Sequence, residues 1–324
     1  MTSSNDSALL TWPGFRADGG LLLPIRSSRE WVSGPDLLEG EGMPLGRKDE
    51  LHLTILNRAT GSLLRSQLGD DAIARLFEDE DWTISRTGEG HLLRKVKADG
   101  GCSTVCESVI ERLDLPALAQ FRHALSRVAG TPLPEVLPHI TLYVAGDAAG
   151  IGLPDMAAYE ASRIASLRLP GVCNRPAPRL PSTLLDAYKA TDFAIDDPAI
   201  TLRVGQASAQ MDAELRAKNV TRAIVVTAYN PFSEDTDPRA NGLRQQMLLN
   251  ALQSAGLCVR VAEGRDPSGI WQPEPSLLVM GTDPTLEDRL LRDYEQHAIV
   301  VIEQGEPMRL ALHPDHLTSP ASQA

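Results

Sequence analysis

Apolar residues recur along the first half of the chain in the patterns of strands and helices. LHLTIL at 51–56 and HITLYV at 139–144 are apolar runs with the length of buried strands. Between them, residues 61–77 place leucine and isoleucine at roughly helical spacing, and Pro116 begins a second helical segment that Gly130 ends. This pattern predicts two units of strand and helix in this half.

Glycine and proline mark two breaks in the pattern. Residues 82–87 and 91–98 are strand-like and flank a Gly-Glu-Gly tripeptide at 88–90, which is the spacing of a hairpin with a short loop. Further on, residues 170–183 are rich in proline and poor in apolar pattern. We therefore expect a hairpin at the tripeptide and a domain boundary in the proline-rich segment.

The second half of the chain alternates strand-like and helical segments. Helical patterns at 239–255 and 283–296 lie between apolar runs that are typical of strands. Such alternation predicts an α/β or α+β sheet with helices packed on it. We expect three regions: a first domain at 1–175, a second α/β domain at 182–313, and a loose tail at 314–324.

Composition and charge narrow the classes of protein that fit. The chain has 324 residues, 42% of them hydrophobic and 23% charged, which is typical of globular proteins and excludes a mostly disordered or collagen-like chain. The formal net charge is −12, and residues 1–175 hold 18 Lys and Arg against 23 Asp and Glu, so both halves are acidic. This balance disfavours bulk duplex nucleic acid and membrane surfaces as partners, but it allows a nucleotide or an RNA end in a local basic pocket.

Cysteine usage bears on the compartment and on metal binding. The four cysteines, Cys102, Cys106, Cys173 and Cys258, are too few and too unevenly spaced for a disulfide framework. The first residues lack a basic segment followed by an apolar run, and no apolar stretch approaches the length of a membrane span. We therefore expect a cytoplasmic protein. Cys102 and Cys106 have no second ligand pair at zinc spacing, so we expect no metal and no cofactor, and the oligomeric state stays open.

Two short motifs lie inside the apolar strands of the first domain. His52 and Thr54 belong to the first strand, and His139 and Thr141 belong to the second. In a strand, residues i and i+2 point to the same face, so each histidine projects beside its threonine while the intervening apolar residues face the core. The same alternation adds Tyr143 as a candidate contact for a substrate. Two such strands side by side would line one groove with two imidazoles and two hydroxyls.

This set of side chains suits phosphodiester chemistry without a metal. One neutral imidazole can take a proton from water while a protonated one donates a proton to the leaving oxygen. Threonine hydroxyls can donate hydrogen bonds to the nonbridging phosphate oxygens, where negative charge accumulates in the transition state. A third H-x-T tripeptide, at 316–318, lies in a proline-flanked tail without a strand pattern, and we interpret it as a chance match.

Residues 1 to about 170 resemble the two-histidine (2H) phosphoesterase superfamily in the two motifs, in their separation of 87 residues, and in the order of elements. The resemblance implies a bilobal fold around two strands that carry H-x-T. It implies substrates that are 2′,3′-cyclic phosphates, 2′-5′ linkages or related nucleotide esters. It also implies that His52, Thr54, His139 and Thr141 are the catalytic residues. The chain departs from the family pattern in the long segment that precedes His52.

Other interpretations of the two motifs stay open. Each motif by itself is also typical of an ordinary buried strand with a histidine in the core. The pair together favours an enzyme, a phosphoric diester hydrolase that acts on a cyclic or 2′-linked nucleotide or RNA-end phosphodiester. The alternative is a catalytically silent module that binds a nucleotide or an RNA end, with the C-terminal domain mediating assembly. A third hypothesis puts the principal activity in the C-terminal domain.

The second domain carries a different set of motifs. TAYNP at 227–231 and WQPEPS at 271–276, with the run YEQHAIVV at 294–301, resemble a bacterial family of unknown function. The end of a strand in an α/β sheet is a common position for ligand-binding groups. The sequence therefore predicts a candidate ligand site with these members: Asn230, Asn241, Arg244, Trp271 and Glu274.

Structural roles compete with this second site. An Asn-Pro pair commonly builds a turn, and a tryptophan in a proline-rich loop often covers a core. Glu274 could also form an ion pair with Arg244 and have no further role. The sequence alone does not choose between a ligand site and these structural roles.

Overall fold

The computed structural model describes residues 11–25, 31, 34–39, 42–99, 102–172, 174–197 and 199–318. The chain divides into two compact units. The first comprises Met1–Val32 and Gly42–Leu167, and the second comprises Ser33–Glu41 and Arg168–Ala324. Each unit contains an antiparallel sheet with helices, so the predicted α+β fold class is confirmed. No pattern in the sequence predicted that the short segment Ser33–Glu41 belongs to the second unit.

The part of the chain up to Arg168 provides the elements of the first sheet. Its described strands are β1 (Leu21–Ile25), β2 (Leu37–Leu38), β3 (Leu45–Arg47), β4 (Leu51–Leu56), β5 (Ser85–Asp99), β6 (Cys102–Asp114), β7 (His139–Ala145) and β8 (Arg163–Arg168). Its described helices are α1 (Arg58–Leu68), α2 (Asp70–Glu78), α3 (Pro116–Ala129) and α4 (Met156–Ser162). The strands predicted at 51–56 and 139–144 are thus confirmed.

The first sheet has the strand order β1-β4-β7-β6-β5-β8, with β3 paired to β7 beside this path. Helices α1, α2 and α3 contact one another. Phe77 stacks on Trp82, and Phe121 meets both rings edge-on in the same core. On β4, Leu51, Leu53 and Ile55 are buried on one face of the strand, which anchors it to the apolar interior.

The helical pattern over 61–77 corresponds to two helices rather than one. Helix α1 ends and α2 begins at Gly69, whose φ of 77° lies in the left-handed region. A residue with this backbone angle cannot continue an α-helix, and glycine adopts it without a steric penalty. The predicted single helix is therefore wrong at this one residue. Helix α3, by contrast, begins with Pro116 in its first turn and ends at Gly130, as predicted.

The predicted hairpin at the Gly-Glu-Gly tripeptide is wrong. Residues 85–99 form one long strand, β5, which pairs with β6 along its length. Gly88 has a φ of 68°, and the register with β6 shifts between Arg86 and Gly90. The glycines therefore allow a bulge inside the strand instead of a chain reversal.

The second unit also combines strands with helices. Its described strands are β9 (Asp192–Ile195), β10 (Ile200–Arg203), β11 (Arg222–Val226), β12 (Cys258–Arg265), β13 (Glu274–Met280), β14 (Ala298–Glu303) and β15 (Arg309–Leu312). Its described helices are α5 (Ser182–Ala190), α6 (Ala209–Ala217), α7 (Pro238–Ser254), α8 (Pro284–Asp293) and α9 (Pro314–Thr318); Pro231–Ser233 form a single 3₁₀ turn.

The second sheet has the order β10-β9-β12-β13-β11-β14-β15, and each described pairing of neighbours is antiparallel. Alternate residues of the central strands enter two apolar clusters. Val225 and Leu278 belong to the cluster that includes α6, whereas Ile224 and Val279 belong to the cluster that includes α7 and α8. Both faces of the sheet are therefore covered, which explains why its central strands read as continuous apolar runs.

The predicted loose tail at 314–324 is partly ordered. Helix α9 holds His316, whose Nε2 lies 2.9 Å from Nδ1 of His297. Residues 319–324 lie outside the described residues. The third H-x-T tripeptide is thus in a helix and not in a strand. Among the helices that the structure describes, none is both long and apolar enough to cross a membrane.

Candidate functional site

The two H-x-T strands of the first unit are neighbours in the sheet. Strands β4 and β7 pair antiparallel, with Leu53 opposite Ile140. Extending this register by one residue in each direction places His52 opposite Thr141 and Thr54 opposite His139. The folded chain therefore brings together two motifs that are 87 residues apart in sequence.

The burial pattern of β4 shows which face carries the motif. Leu51, Leu53 and Ile55 are buried, whereas His52 and Thr54 keep part of their surface exposed. In β7, Ile140 and Leu142 are buried, and the motif residues His139 and Thr141 keep part of their surface exposed. Both strands thus turn their aliphatic side chains to the core and leave their histidine and threonine at an accessible face.

Tyr143 departs from the predicted alternation. In the pairing of β6 with β7, Val109 faces Tyr143 and Ile110 faces Thr141, so Leu142 is an extra residue in β7. Such a bulge reverses the facing of every residue beyond it. The Tyr143 side chain is fully buried, and the Arg47 guanidinium lies 5.7 Å from its ring centroid. Tyr143 therefore supports the strand from the core, and the predicted contact with a substrate is corrected.

The ring of His139 is held in one orientation. Its Nδ1 lies 2.8 Å from the backbone oxygen of Leu137. Because a carbonyl oxygen can only accept a hydrogen bond, Nδ1 carries the hydrogen and Nε2 keeps a lone pair in the neutral ring. Burial lowers the pKa of His139 below its ordinary value of 6.5, and the bond to Leu137 partly opposes this effect. His139 is thus a neutral imidazole at neutral pH, with the lone pair on Nε2.

His52 is in a more positive environment. Burial is the largest cause that lowers its pKa below 6.5. The positive charges of Lys48 and Arg16 lower the pKa further, as does the neighbouring His139, while Glu50 opposes them. His52 is therefore also neutral at neutral pH in the free protein. The influence of His139 on His52 agrees with the proximity that the strand pairing gives.

Lys48, Arg16 and Arg122 are residues of this site that the sequence analysis missed. The amide of Lys48 donates to the backbone oxygen of Leu142, which fixes the end of β3 beside β7. Arg122 on α3 is buried and donates from Nη1 to the oxygen of Ile55 and from Nη2 to the oxygen of Pro134. These bonds tie the end of β4 to the segment that leads into β7. A basic residue four positions before His52 was a visible signal, whereas the contacts of Arg122 depend on the tertiary fold.

In the second unit, Asn230 and Glu274 lie together where two neighbouring strands of the sheet end and begin. Strands β11 and β13 pair antiparallel, so the end of one lies beside the start of the other. Nδ2 of Asn230 donates to Oε2 of Glu274 at 3.0 Å. Asn241 bonds both the backbone and the side chain of Asn230. Its Oδ1 accepts from the backbone N–H of Asn230, and its Nδ2 donates to Oδ1 of Asn230, each at 2.8 Å. The predicted residues Asn230, Asn241 and Glu274 are therefore brought together.

The turn that carries Asn230 has an unusual backbone. Asn230, Phe232 and Ser233 have φ values of 44°, 48° and 57°, in the left-handed region that non-glycine residues rarely adopt. Glu295 has a φ of 53°, and its backbone oxygen accepts a hydrogen bond from the amide of Phe232. Residues held in such conformations cluster at functional sites in proteins.

The Glu274 carboxyl group has a raised pKa. Burial raises the pKa of Glu274 above its ordinary value of 4.5, and the hydrogen bond from Asn230 partly opposes this effect. The Tyr188 hydroxyl lies 2.6 Å from Oγ of Ser233. Burial also raises the pKa of Tyr188, and the nearby charge of Glu274 adds to the rise. Tyr188 and Ser233 are members of this site that no motif in the sequence indicated.

Arg244 is part of the scaffold of this unit and does not reach a ligand. Its side chain is fully buried, and its guanidinium donates to three backbone oxygens. Nε and Nη2 bond the oxygens of Ala228 and Tyr294 at 2.9 and 2.8 Å, and Nη1 bonds the oxygen of Arg168. The ion pair with Glu274 does not form. Arg244 therefore fixes the turn after β11, and its predicted place among the ligand-binding side chains is corrected.

Trp271 does not cover a core. Its side chain is 62% exposed, and the preceding Ile270 is 77% exposed. Their backbone amides donate to Oδ2 of Asp266 at 3.1 and 2.9 Å, respectively. The loop between β12 and β13 therefore presents Trp271 at the surface in a fixed conformation. Across the described ranges of the chain, no three His, Cys, Asp or Glu side chains are grouped so that they could hold a metal ion.

Comparison with known proteins bears on the second unit. A family model described as a protein of unknown function (DUF3293) matches residues 226–299. The matched segment includes Asn230, Asn241, Arg244 and the loop through Glu274, so the chain is similar to this family where the strained turn and its partners lie. No curated protein and no solved structure matches the chain. The resemblance of the first unit to the two-histidine superfamily therefore rests on its sequence motifs alone.

Proposed function

We propose that the first unit is a metal-independent phosphodiesterase that uses His52 and His139 as its acid–base pair. The observation that carries this proposal is the pairing of β4 with β7, which places two histidines and two threonines on adjacent strands. We propose as its substrate a 2′,3′-cyclic phosphate or a 2′-linked phosphodiester of a nucleotide or an RNA end. The two-histidine family that the motifs resemble acts on this class of ester.

His139 is the proposed general base. Its Nδ1 is occupied by the Leu137 oxygen, so Nε2 is the atom that can accept a proton from water. The water oxygen then forms a bond to phosphorus while the bond from phosphorus to the leaving ribose oxygen breaks. Because burial keeps the pKa of His139 below 6.5, the base is in its active form at neutral pH.

His52 is the proposed general acid, which gives its proton to the leaving ribose oxygen. In the free protein, protonation of His52 is disfavoured by burial and by the positive charges of Lys48 and Arg16, which all lower its pKa. A bound phosphodiester carries a negative charge that offsets these cations, so substrate binding raises the pKa of His52. The same cations attract the phosphate. Thr54 and Thr141 donate hydrogen bonds to its nonbridging oxygens in this mechanism.

A catalytically silent binding module is the second candidate. The observation that favours it is that both imidazoles are neutral in the free protein, so no resident acid is present at neutral pH. In this alternative the groove binds a nucleotide or an RNA end without turnover, and the second unit mediates assembly. Both candidates bind the nucleotide or RNA end, but only the phosphodiesterase hydrolyses it.

The test is hydrolysis of 2′,3′-cyclic nucleotides and 2′-5′ linked oligonucleotides in the presence of a chelator. We expect turnover by the wild type, and losses of roughly a hundredfold or more in His52→Ala and in His139→Ala. The exposed His123 on α3 provides a matched control, and His123→Ala should keep the wild-type rate. Binding without turnover by the wild type would support the silent module. Turnover that survives both substitutions would contradict the two-histidine mechanism.

A further inference from the structure

The fully buried glutamates in the described part of the chain share a feature that the partly buried Glu274 lacks. Glu107, Glu111, Glu287 and Glu295 are each buried, and each lies within ion-pair distance of an arginine. The pairs are Arg94–Glu107 at 2.7 Å, Arg86–Glu111 at 2.7 Å, Arg222–Glu287 at 2.6 Å and Arg175–Glu295 at 3.2 Å. Pairing with a cation is the usual way in which a carboxylate tolerates removal from water. Each fully buried glutamate that the structure describes thus has an arginine of the same chain as its cation.

Glu274 is partly buried and has no such cation. Within the described part of the chain, no Lys, Arg or His nitrogen lies at ion-pair distance from its carboxylate. Its Oε2 accepts from Asn230, and no described donor reaches Oε1. The Glu274 carboxylate therefore uses only part of its capacity to accept hydrogen bonds. It lies at the start of β13, in the half of the chain that carries the larger negative charge.

The position of this carboxylate is tightly specified. Asn230 is held by Asn241 on both sides and by the amide of Thr236, and its own backbone is in the left-handed region. The Asn230 amide group then orients Glu274 through the 3.0 Å bond to Oε2. A chain that needed only to tolerate this carboxyl group would not require so constrained a support.

Aromatic side chains accompany the carboxylate. The Tyr188 hydroxyl lies 2.6 Å from Oγ of Ser233, in the turn that carries Asn230, and the charge of Glu274 adds to the raised pKa of Tyr188. Trp271 precedes Glu274 by three residues, which keeps their Cα atoms within about 10 Å of each other. Its ring is 62% exposed. A carboxylate with an exposed aromatic residue three positions away in the chain is an arrangement that suits organic cations, through an ion pair and cation–π contact.

We propose that the second unit binds a small organic cation, an ammonium or a guanidinium group, on Oε1 of Glu274. The ligand supplies the positive charge that arginines supply to the four fully buried glutamates. Asn230 positions the carboxylate, and Trp271 covers the apolar part of the ligand. This site is separate from the phosphodiesterase proposed for the first unit and does not depend on it.

The test measures binding of three probes of equal carbon length to the full chain: n-butylammonium, n-butylguanidinium and the neutral 1-butanol. We expect saturable binding of at least one cation and none of the alcohol. Glu274→Gln keeps an acceptor for Asn230 and removes the charge, so it should weaken cation binding about tenfold or more. Trp271→Ala should weaken it by a smaller factor.

Glu263→Gln is the matched control. Glu263 lies on the neighbouring strand β12, opposite Pro275, and already pairs with Arg265. This variant should bind the cation like the wild type, and thermal unfolding should show that Glu274→Gln is folded. Binding should also weaken as the pH falls, because protonation of Glu274 removes the charge. Equal binding by Glu274→Gln and the wild type, equal binding of the alcohol, or no saturable binding of either cation would overturn the proposal.

Discussion

His52 and His139 belong to two paired strands, β4 and β7, whereas Asn230 and Glu274 lie where β11 ends and β13 begins. In the first case the period of the strand fixes which side chains share a face. In the second case a turn with left-handed residues and a network of amide bonds fix the position of one carboxylate. Regular structure thus positions the first site, and irregular structure supported by a buried scaffold positions the second.

Arg16 and Arg244 differ in what their guanidinium groups do. In the first unit, the positive charge of Arg16 acts on His52 at the site itself. In the second unit, Arg244 is fully buried, and all three of its bonds go to backbone oxygens. Burial lowers the pKa of Arg244 to about 10, so it stays charged at neutral pH. A buried arginine of this kind holds the fold, and an exposed one is available to a ligand.

Substitution of Arg244 should give the largest effect. Arg244→Met keeps most of the side-chain volume but leaves three backbone oxygens without their donor, so we expect a loss of about 3–5 kcal/mol in the free energy of unfolding. Urea denaturation measures this loss. Arg265→Met, at an exposed arginine on β12, is the control and should leave the midpoint unchanged. A small loss in Arg244→Met would restore Arg244 as a candidate ligand-binding residue.

Removal of a threonine hydroxyl in the first unit should come next. Thr141→Val has nearly the same shape and cannot donate to a phosphate oxygen, so the proposed mechanism predicts a fall in kcat of about a hundredfold. Thr104→Val, on the exposed part of β6, should keep the wild-type rate. Steady-state kinetics on a 2′,3′-cyclic nucleotide decide this point. A change in KM alone would limit Thr141 to binding.

The proposed mechanism predicts in which pH range the first unit is most active. The pKa values of His52 and His139 are both below 6.5, and the mechanism needs one protonated and one neutral ring. As the pH rises above the pKa of His52, the fraction of protonated acid falls about tenfold per unit. The profile of kcat/KM should therefore have its maximum on the acidic side of 6.5. A maximum in the alkaline range would contradict the proposed roles.

Glu274 should give the smallest effect on stability, with a definite sign. Its pKa is raised on folding, so its favourable contribution is present below 4.5 and is lost as the pH rises through the folded-state pKa. Glu274→Gln should therefore match or exceed the wild type at neutral pH, by at most about 1 kcal/mol. This difference should shrink at acidic pH. Thermal unfolding at the two pH values measures it, and a destabilised variant at neutral pH would mean that Glu274 has an internal cation partner.

Local pattern was enough to predict the elements that hold the first site. The segment at 51–56 is β4 with the same bounds, and Pro116 and Gly130 mark α3 as predicted, because caps and strand alternation are local properties. Gly69 and the glycines at 88–90 were misread. A glycine permits several backbone conformations, and the neighbouring elements decide which one is used.

Among the candidate site residues, too, some follow from the local sequence pattern and others depend on the tertiary fold. His52 and Thr54 follow from strand alternation, whereas the burial of Tyr143 follows from a bulge that only the pairing with β6 defines. Arg244 could not be distinguished from a ligand-binding arginine in the sequence, because its three acceptors come from distant segments. Tyr188 was missed for the same reason, since its partner Ser233 lies 45 residues further along the chain.

The central claim is that His52 and His139 act in one chemical step, and the double variant tests it most directly. The measurement is the rate of 2′,3′-cyclic nucleotide hydrolysis, with chelator present, by His52→Ala, His139→Ala and the protein with both substitutions. Groups that act as a unit show strongly non-additive losses. The account predicts that the double variant retains about the same residual rate as either single variant. Losses that multiply in the double variant, or a wild-type rate no higher than that of the variants, would contradict it.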